Sequence, residues 1–140
     1  MNSVQVLLVR FQKFLLIGAF GLLINMGALY VLTGYVHIYY VLSSFFAIEL
    51  SLFATFALNE RWTWADRKPG TIVRRFWKYQ MVNGIGLVIN VGVLFFLTAF
   101  FDVHYMASNF FGAGLAALWN FTLNNVFTWG DSGKMIDSST

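Results

Sequence analysis

The sequence predicts an all-α integral membrane protein in which a helical hairpin occurs twice. Hydrophobic residues make up 59% of the chain and charged residues only 11%, whereas a soluble domain carries roughly 25% charged residues. Four apolar runs approach the length of about 20 helical residues that crosses a bilayer. A shift of 65 positions also aligns residues 10–66 with residues 75–131, giving 22 identities in 57 pairs without a gap. A surface this apolar requires lipid as its solvent.

The repeat is clearest where each hairpin ends. The stretch Leu-Asn-Glu-Arg-Trp-Thr-Trp-Ala-Asp at 58–66 returns as Leu-Asn-Asn-Val-Phe-Thr-Trp-Gly-Asp at 123–131. Apolar composition alone produces some matches, but it does not align Arg, Lys, Asn, Thr, Trp and Asp at one offset. We therefore interpret the chain as a tandem duplication. The prediction is a single membrane domain, 1–140, with repeat one at 10–66, repeat two at 75–131 and a disordered tail at 132–140.

The spans follow from the apolar runs. Residues 1–13 are mixed in character, so a helix at the membrane surface and a frayed terminus are both open. Asn59 and Asn124, each with a threonine four residues later, are expected to close helix ends by bonding backbone groups that lack a partner. The predicted spans are 14–35, 40–58, 79–101 and 105–127, and the central segment 59–78 is polar.

The basic residues indicate how the spans are oriented. All nine Lys and Arg lie in the N-terminal segment, the central segment or the C-terminal tail, and the loops near His37 and His104 contain none. The positive-inside rule then makes both termini cytoplasmic. Nucleic acid is not an expected partner, because these charges lie beside lipid. Cysteine is absent, which excludes a thiolate metal site, and we expect no cofactor.

Each repeat contains an even number of spans, so both hairpins enter the membrane from the same side and are parallel-oriented. The predicted body is a four-helix bundle held by close helix contacts and interhelical hydrogen bonds. Gly21 and Asn25 share one face of the first helix, and Gly86 and Asn90 repeat that face on the third. These asparagines are helix contacts, residues that line a polar path, or both.

The second and fourth spans also carry polar residues. Stripes that include Thr55 and Asn120 are interpreted as a seam between helices, although their hydroxyl and amide groups also suit a sugar. Glu49 lies near the centre of the second span, where a charge is costly, and its repeat partner is Gly114. This carboxyl is either functional, as a proton carrier or substrate contact, or a neutral group bonded to a neighbour. The substitution Glu49→Gln separates the two readings.

Basic residues occur in repeated pairs where the first and third spans begin. Arg10 with Lys13, and Arg75 with Lys78, are each spaced i, i+3 and share a helix face. Together with Arg61, which has no copy, they suit a phosphate at headgroup depth; positive-inside anchoring is the alternative. The neighbouring aromatic residues are interpreted as an interfacial belt. A nucleophile–base pair is not evident, so enzymatic activity is not expected.

These residues resemble the GtrA-like family of small four-span membrane proteins. The resemblance rests on Arg-Phe-x-x-(Phe/Tyr), Gly-x-x-x-Asn and Leu-Asn-x-x-(Trp/Phe)-Thr-(Trp/Phe), each present twice, and extends from about Arg10 to Asp131. The stretch 56–64 is its most specific part. Glu60 stands where a basic residue is common in the family, which removes one positive charge, and Trp64 stands where Phe is usual.

The resemblance implies a multi-pass protein of the bacterial cytoplasmic (inner) membrane. It also implies that the protein moves polyprenyl-phosphate-linked sugars across the membrane for cell-surface polysaccharide synthesis or modification, beside a separate glycosyltransferase. We accordingly expect a phosphate dock and a membrane groove. The dock comprises Arg10, Lys13, Arg61, Arg75 and Lys78, and the groove comprises Asn25, Glu49 and Asn90.

Two other functions stay open at this point. One is a non-transporting membrane subunit that anchors a polyprenyl-phosphate glycosyltransferase. The other is a small proton-coupled drug or cation exporter, although such a protein needs no repeated cationic mouth. In each case membrane lipid is a partner. Because four short helices enclose little space, a homo-oligomer is one way to enlarge the enclosure.

Overall fold

Every regular element in residues 1–130, the part of the chain that the computed structural model describes, is helical. The four α-helices are α1 (Ser3–Tyr30), α2 (Tyr40–Leu58), α3 (Ile72–Phe101) and α4 (Tyr105–Leu123). All except α3 continue directly into a π-helical segment; these segments are Val31–Tyr35, Asn59–Thr63 and Asn124–Thr128. The all-α prediction is confirmed for these residues. The predicted tail at 132–140 lies outside them.

Two of the four α-helices, α1 and α3, begin earlier than the apolar runs predict, whereas α2 and α4 begin at the predicted residues. Asn2 and Gln5 form a capping box at the start of α1: Gln5 N donates to Asn2 Oδ1 at 2.8 Å and Asn2 N donates to Gln5 Oε1 at 3.0 Å. Such a box satisfies backbone donors that the first helical turn leaves unpaired. The N-terminal segment is therefore helical from Ser3 and not frayed, and its place at the membrane surface stays a prediction. At α3, Thr71 Oγ1 accepts from Arg74 N at 3.2 Å, so part of the polar central segment is helical as well.

Within residues 1–130, three helical stretches are long enough and apolar enough to cross a membrane. They are Ser3–Tyr35, Tyr40–Thr63 and Ile72–Phe101. The fourth helix is not among them, because residues such as Asn109 and Asn120 lower its mean hydropathy. The protein is thus a membrane protein with several apolar helices, and the fourth span stays a prediction.

Contacts divide the chain into two compact units, Met1–Asp66 and Arg67–Thr140, called unit 1 and unit 2 below. In unit 1, α1 packs against α2, and in unit 2, α3 packs against α4. The pairing is antiparallel in each unit. In unit 1, for example, Arg10 near the start of α1 reaches Asp66 beyond the end of α2, whereas Gly21 meets Ser51. Each unit is therefore a helical hairpin.

The α1–α2 seam of unit 1 is closely packed at Gly21. Ser51 Oγ donates to the Gly21 carbonyl oxygen at 2.6 Å, and a Cβ atom at Gly21 would overlap the methyl group of Thr55. Thr55 Oγ1 lies 2.9 Å from the Ser51 carbonyl oxygen and 3.1 Å from that of Leu52, both in its own helix. This seam combines close backbone approach with an interhelical hydrogen bond, as membrane helix pairs require.

The α3–α4 seam of unit 2 uses two glycine–asparagine contacts. Gly86 of α3 faces the side-chain amide of Asn120, and Gly112 of α4 faces Asn90. A Cβ atom at either glycine would overlap its asparagine. Trp119 adds an interhelical hydrogen bond by donating Nε1–H to the Val82 carbonyl oxygen at 3.1 Å. Asn90 is therefore a helix contact.

The connection inside each hairpin is short and turns through one left-handed residue. His37 has φ 61° and Asp102 has φ 51°, and the two positions are 65 apart in the chain. In each unit a fully buried serine follows, Ser43 or Ser108. Its hydroxyl donates to a loop carbonyl, of Ile38 at 3.2 Å or of Val103 at 3.4 Å.

Few apolar side chains are buried, since most project outward along the helices. In unit 1 the buried apolar residues are Phe14, Ile17, Ala47, Phe56 and Trp64. In unit 2 they are Tyr79, Val82, Ala116, Phe121 and Trp129. In both sets the large rings belong to the end of the hairpin where its helical segments begin and finish, away from its short connection. A large exposed apolar surface of this kind matches lipid as the solvent.

Candidate functional site

We call the end of each hairpin that lies away from its short connection the open end. In unit 1 the open end is organised around a buried arginine. Arg10 of α1 is 8% exposed. Its Nη1 donates to the Thr63 carbonyl oxygen at 3.2 Å, and its Nη2 donates to Asp66 Oδ2 at 2.6 Å. Nε is buried without a hydrogen-bond partner among the described residues. The ion pair matters here because a buried charge without a counter-charge is strongly destabilising.

The π-helical segment of unit 1 brings those acceptors to Arg10. The Asn59–Thr63 turn is closed by a hydrogen bond from Trp64 N to the Asn59 carbonyl oxygen at 2.9 Å. Inside the turn, Thr63 Oγ1 donates to Asn59 Oδ1 at 2.7 Å. Trp64 is fully buried, and its ring meets that of Phe14 edge-on at 6.0 Å between centroids. The wide turn thus packs the tryptophan inward and leaves Asp66 beside Arg10.

The open end of unit 2 repeats most of this arrangement. Thr128 Oγ1 donates to Asn124 Oδ1 at 2.7 Å, and Trp129 is fully buried with its ring 5.8 Å from that of Tyr79. Asn124 Nδ2 is buried without a hydrogen-bond partner in residues 1–130. The expectation that Asn59 and Asn124 bond backbone groups is wrong for their side-chain oxygens, which accept from threonine hydroxyls instead.

Arg75 corresponds to Arg10 but has different acceptors. It is 6% exposed, and its Nη1 donates to the carbonyl oxygens of Pro69 at 2.9 Å and Gly70 at 3.0 Å. Those carbonyls precede α3, and Gly70 has φ +63°, a value that favours glycine. Asp131, the counterpart of Asp66 by sequence, lies outside the described residues. Arg75 therefore holds the segment that leads into its own helix.

The two lysines of the expected dock lie over aromatic rings. Lys13 Nζ is 5.3 Å from the centroid of the Trp62 ring. Lys78 Nζ is 4.6 Å from that of Phe127 and donates to the Phe127 carbonyl oxygen at 3.2 Å. Both lysines are half-buried. Such cation–π contacts place a mobile ammonium group at a fixed level of the hairpin.

The structure therefore groups the expected dock residues within each unit. Arg10 and Lys13 share the open end of unit 1, and Arg75 and Lys78 share that of unit 2. Arg61 is exposed on the π-helical segment of unit 1. Each open end thus has a buried arginine, which is bonded to the protein, and a half-buried lysine.

The expected groove residues lie farther along the hairpins. Asn25, Glu49 and Asn90 are each half-buried. The Oδ1 atom of Asn90 is buried and has no hydrogen-bond partner among the described residues, and the same holds for Asn120 Oδ1. Polar atoms of this kind are costly inside a membrane protein. The α3–α4 seam therefore contains amide oxygens whose hydrogen-bonding capacity is not used.

Sequence reasoning left three residues out of the dock and the groove that the structure brings into the site, although it had placed Asn120 in a helix seam. Asp66 binds Arg10, Glu60 is only 6% exposed, and Asn120 fills the space over Gly86. A signal existed for the first of them: both repeats keep an arginine at their start and an aspartate at their end, 56 residues apart. For Glu60 and Asn120 no such signal exists, because both differ from their repeat partners.

Antiparallel helix pairs with outward apolar faces and a basic residue cluster at each open end define a small multi-helix membrane protein. Residues 13–129 match the family described as GtrA/DPMS, transmembrane domain, and the chain belongs to that family. The expected family resemblance is confirmed. The chain is also 29% identical over 120 residues to a dolichol-phosphate mannosyltransferase of Pyrococcus furiosus. That match covers 86% of this chain but 34% of the relative, so the chain spans about a third of the relative's length.

Proposed function

We propose that the protein translocates a polyprenyl-phosphate-linked sugar across the bacterial cytoplasmic membrane for synthesis or modification of cell-surface polysaccharide. Family membership over residues 13–129 supports this, as does a relative named for mannosyl transfer to dolichol phosphate, which is itself a polyprenyl phosphate. The observation that carries the proposal is the repeated pairing of a buried arginine with a lysine at the open end of each hairpin.

The chemistry of the cargo explains why such cations are useful. Its polyprenyl chain can remain in lipid, so only the phosphate and the sugar have to cross the apolar core. A charged group at that depth is expensive, and guanidinium groups offset this cost by bidentate hydrogen bonds to phosphate. In the proposal the dock consists of Arg10, Lys13, Arg61, Arg75 and Lys78.

The groove would carry the sugar past the membrane centre. Amide groups of Asn25 and Asn90 offer hydrogen bonds to hydroxyl groups, and the unused capacity of Asn90 Oδ1 supports its inclusion. Glu49 is the remaining groove residue, as a hydrogen-bond partner or a proton carrier. In this proposal four spans run with both termini in the cytoplasm, the two hairpins are parallel-oriented, and the protein acts as a carrier without catalysing a reaction.

The experiment is reconstitution of the purified chain into vesicles that contain a labelled polyprenyl-phosphate sugar. A membrane-impermeant reagent that modifies only exposed sugar reports movement between leaflets. We expect vesicles with protein to expose the inner-leaflet sugar much faster than vesicles without it. Equal rates with and without protein would refute translocation by this chain alone.

A matched pair of variants tests the dock within that assay. Lys13→Gln with Lys78→Gln removes two proposed dock charges and should slow headgroup movement at least severalfold. Lys68→Gln with Arg74→Gln removes the same charge at two exposed residues outside the dock and should leave the rate unchanged. Equal slowing by both pairs would indicate general anchoring by positive charge.

A second candidate is a non-transporting membrane subunit that anchors a polyprenyl-phosphate glycosyltransferase. The relative favours it, since the protein that bears the transferase name includes a region similar to this chain. Under this function, vesicles with and without the protein give the same rate of headgroup movement. The chain instead raises the activity of a co-reconstituted glycosyltransferase, and the lysine variants reduce that increase.

A further inference from the structure

The guanidinium group of Arg10 has an edge formed by Nε and Nη2, and in the described part of the chain only Nη2 is hydrogen-bonded. Nε and Nη2 of a guanidinium point the same way and match two oxygens of one anion. Nη2 of Arg10 bonds a single oxygen, Asp66 Oδ2, at 2.6 Å. Nε on the same edge is buried and has no hydrogen-bond partner within residues 1–130. The arrangement leaves a donor that a two-oxygen anion would satisfy.

The two members of this ion pair differ in their access to water. Arg10 is 8% exposed over the whole residue, whereas the Asp66 side chain is 62% exposed. Asp66 also lies in a turn after the π-helical segment and not within a helix. The Asp66 carboxylate is therefore already largely hydrated, whereas its departure from Arg10 leaves a buried cation unpaired. Exchange of one anion for another avoids that cost.

We propose that Asp66 is the resident anion of Arg10 and that the phosphate of the arriving headgroup displaces it. The inference rests on the proposed function, which supplies the phosphate, and adds Asp66 as the residue that sets the affinity of the dock. Two phosphate oxygens engage Nε and Nη2 together, and Asp66 turns outward. Asp66 thus keeps Arg10 neutralised between transport cycles and weakens binding enough for release.

Binding to the intact protein in nanodiscs of zwitterionic lipid tests this exchange. The probe is a short-chain prenyl monophosphate, followed by the fluorescence of the tryptophans at the open end of unit 1. We expect Asp66→Asn to bind it about tenfold more tightly, a change of about 1.4 kcal/mol, because a neutral amide competes poorly with phosphate. Arg10→Lys should bind it more weakly, since an ammonium lacks the two-donor edge.

Asp102→Asn is the matched control. It removes the same charge from an exposed residue with φ 51°, a conformation that asparagine tolerates. This variant should bind the probe as the wild-type protein does. Equal or weaker binding by Asp66→Asn, with an unchanged unfolding temperature, would overturn the exchange. So would an equal gain in Asp102→Asn, which would show a general effect of charge.

A measurement on the wild-type protein covers the case in which Asp66→Asn folds poorly. A carbodiimide with an amine modifies exposed carboxyl groups, and peptide mass spectrometry reports each site. Saturating prenyl phosphate should accelerate modification of Asp66 and not of Asp102. An unchanged rate at Asp66 would refute the displacement.

Two further arms identify the source of the phosphate. Inorganic phosphate should compete with the probe, and phosphatidylglycerol in the nanodiscs should compete only if bulk lipid headgroups reach Arg10. Competition by either supports exchange at Arg10, and competition by neither overturns it. The vesicle assay separates the two proposals: headgroup movement with equal probe affinity in wild type and Asp66→Asn refutes the exchange alone. Tighter binding by Asp66→Asn without headgroup movement refutes translocation alone.

Discussion

The two hairpins are alike at their open ends and different along their seams. At the open ends the contacts of the π-helical turn recur 65 positions apart, and the match extends to distances. The threonine-to-asparagine hydrogen bonds are both 2.7 Å, and the bonds that close the π-helical segments are both 2.9 Å. Both tryptophans are fully buried. A wide turn that packs a tryptophan inward is therefore the shared structural unit.

Along the seams the polar groups have diverged. Unit 1 has Ser51, which bonds across to Gly21, and Thr55, which bonds within its own helix. At the corresponding positions unit 2 has Ala116 and Asn120, and Asn120 Oδ1 has no partner among the described residues. The hydroxyl groups of Ser51 and Thr55 in unit 1 are thus hydrogen-bonded, whereas the described part of unit 2 leaves amide oxygens unpaired. The two repeats therefore retained the residues that shape the turn at the open end, whereas the polar residues along the helix seams diverged.

The largest expected effect tests whether the open ends are equivalent. Trp64→Ala and Trp129→Ala each remove a fully buried ring, and each should lower the free energy of unfolding by about 3–5 kcal/mol. Unfolding in mixed detergent micelles, followed by circular dichroism, measures the loss. Trp77→Ala is the control, because Trp77 is 62% exposed, and it should change little. Losses from Trp64 and Trp129 that differ by more than about 2 kcal/mol would contradict equivalence.

A smaller effect tests how closely the α3–α4 seam is packed. Gly112 faces the backbone of Asn90, which cannot swing aside as a long side chain can, so Gly112→Ala should cost about 1–3 kcal/mol. The corresponding residue of unit 1 is already alanine, Ala47, and it is fully buried. Ala47→Gly should cost about 1 kcal/mol, mainly through helix propensity. The same micelle unfolding measures both.

Gly114 gives the control for that prediction. Nothing lies within 4 Å of a Cβ atom there, so Gly114→Ala should be neutral or stabilising, because alanine favours the helix. A Gly112→Ala variant as stable as Gly114→Ala would show that the seam has room for a methyl group, and the packing difference between the units would then be lost.

Much of this fold could be predicted because each part has a local signal. Apolar runs predicted helices, and the matched offset predicted that both open ends share one arrangement. The start of α3 at Ile72 was missed because a capping threonine before a basic stretch is a weaker signal than hydropathy. The burial of Arg10 and Arg75 was also missed. By sequence alone, an arginine at a helix start is interpreted as a solvent-facing anchor. Its burial depends on acceptors that residues far along the chain or a turn supply, and the local sequence does not show them.

The candidate site was less predictable for a related reason. Lys13 and Lys78 lie over aromatic rings that the sequence had assigned only to an interfacial belt. The unpaired oxygens of Asn90 and Asn120 depend on which atoms face them across the seam, and no single helix pattern contains that information. Where the repeats differ, the offset carries no prediction, and those positions include Glu49 and Glu60.

The smallest expected change in the free energy of unfolding comes from exchanging Asn120 of unit 2 with the corresponding residue of unit 1, Thr55. Asn120→Thr installs the residue of unit 1, whose hydroxyl bonds a carbonyl of its own helix, and removes a buried amide oxygen that has no partner among the described residues. Because an unsatisfied buried acceptor costs about 1–3 kcal/mol, the variant should gain about 1 kcal/mol of unfolding free energy. The reverse exchange, Thr55→Asn, should lose a similar amount. Destabilisation by Asn120→Thr would mean that the amide has a partner in the membrane.

The vesicle assay tests whether the unpaired oxygen of Asn120 also contributes to movement of the headgroup. Proteins commonly give up stability at sites where polar groups are kept ready for a ligand. If Asn120→Thr is more stable and also moves the labelled headgroup more slowly, the unpaired oxygen belongs to the groove, and unit 2 is the hairpin that handles the sugar. If it is more stable and equally active, the divergence of the two seams reflects packing alone.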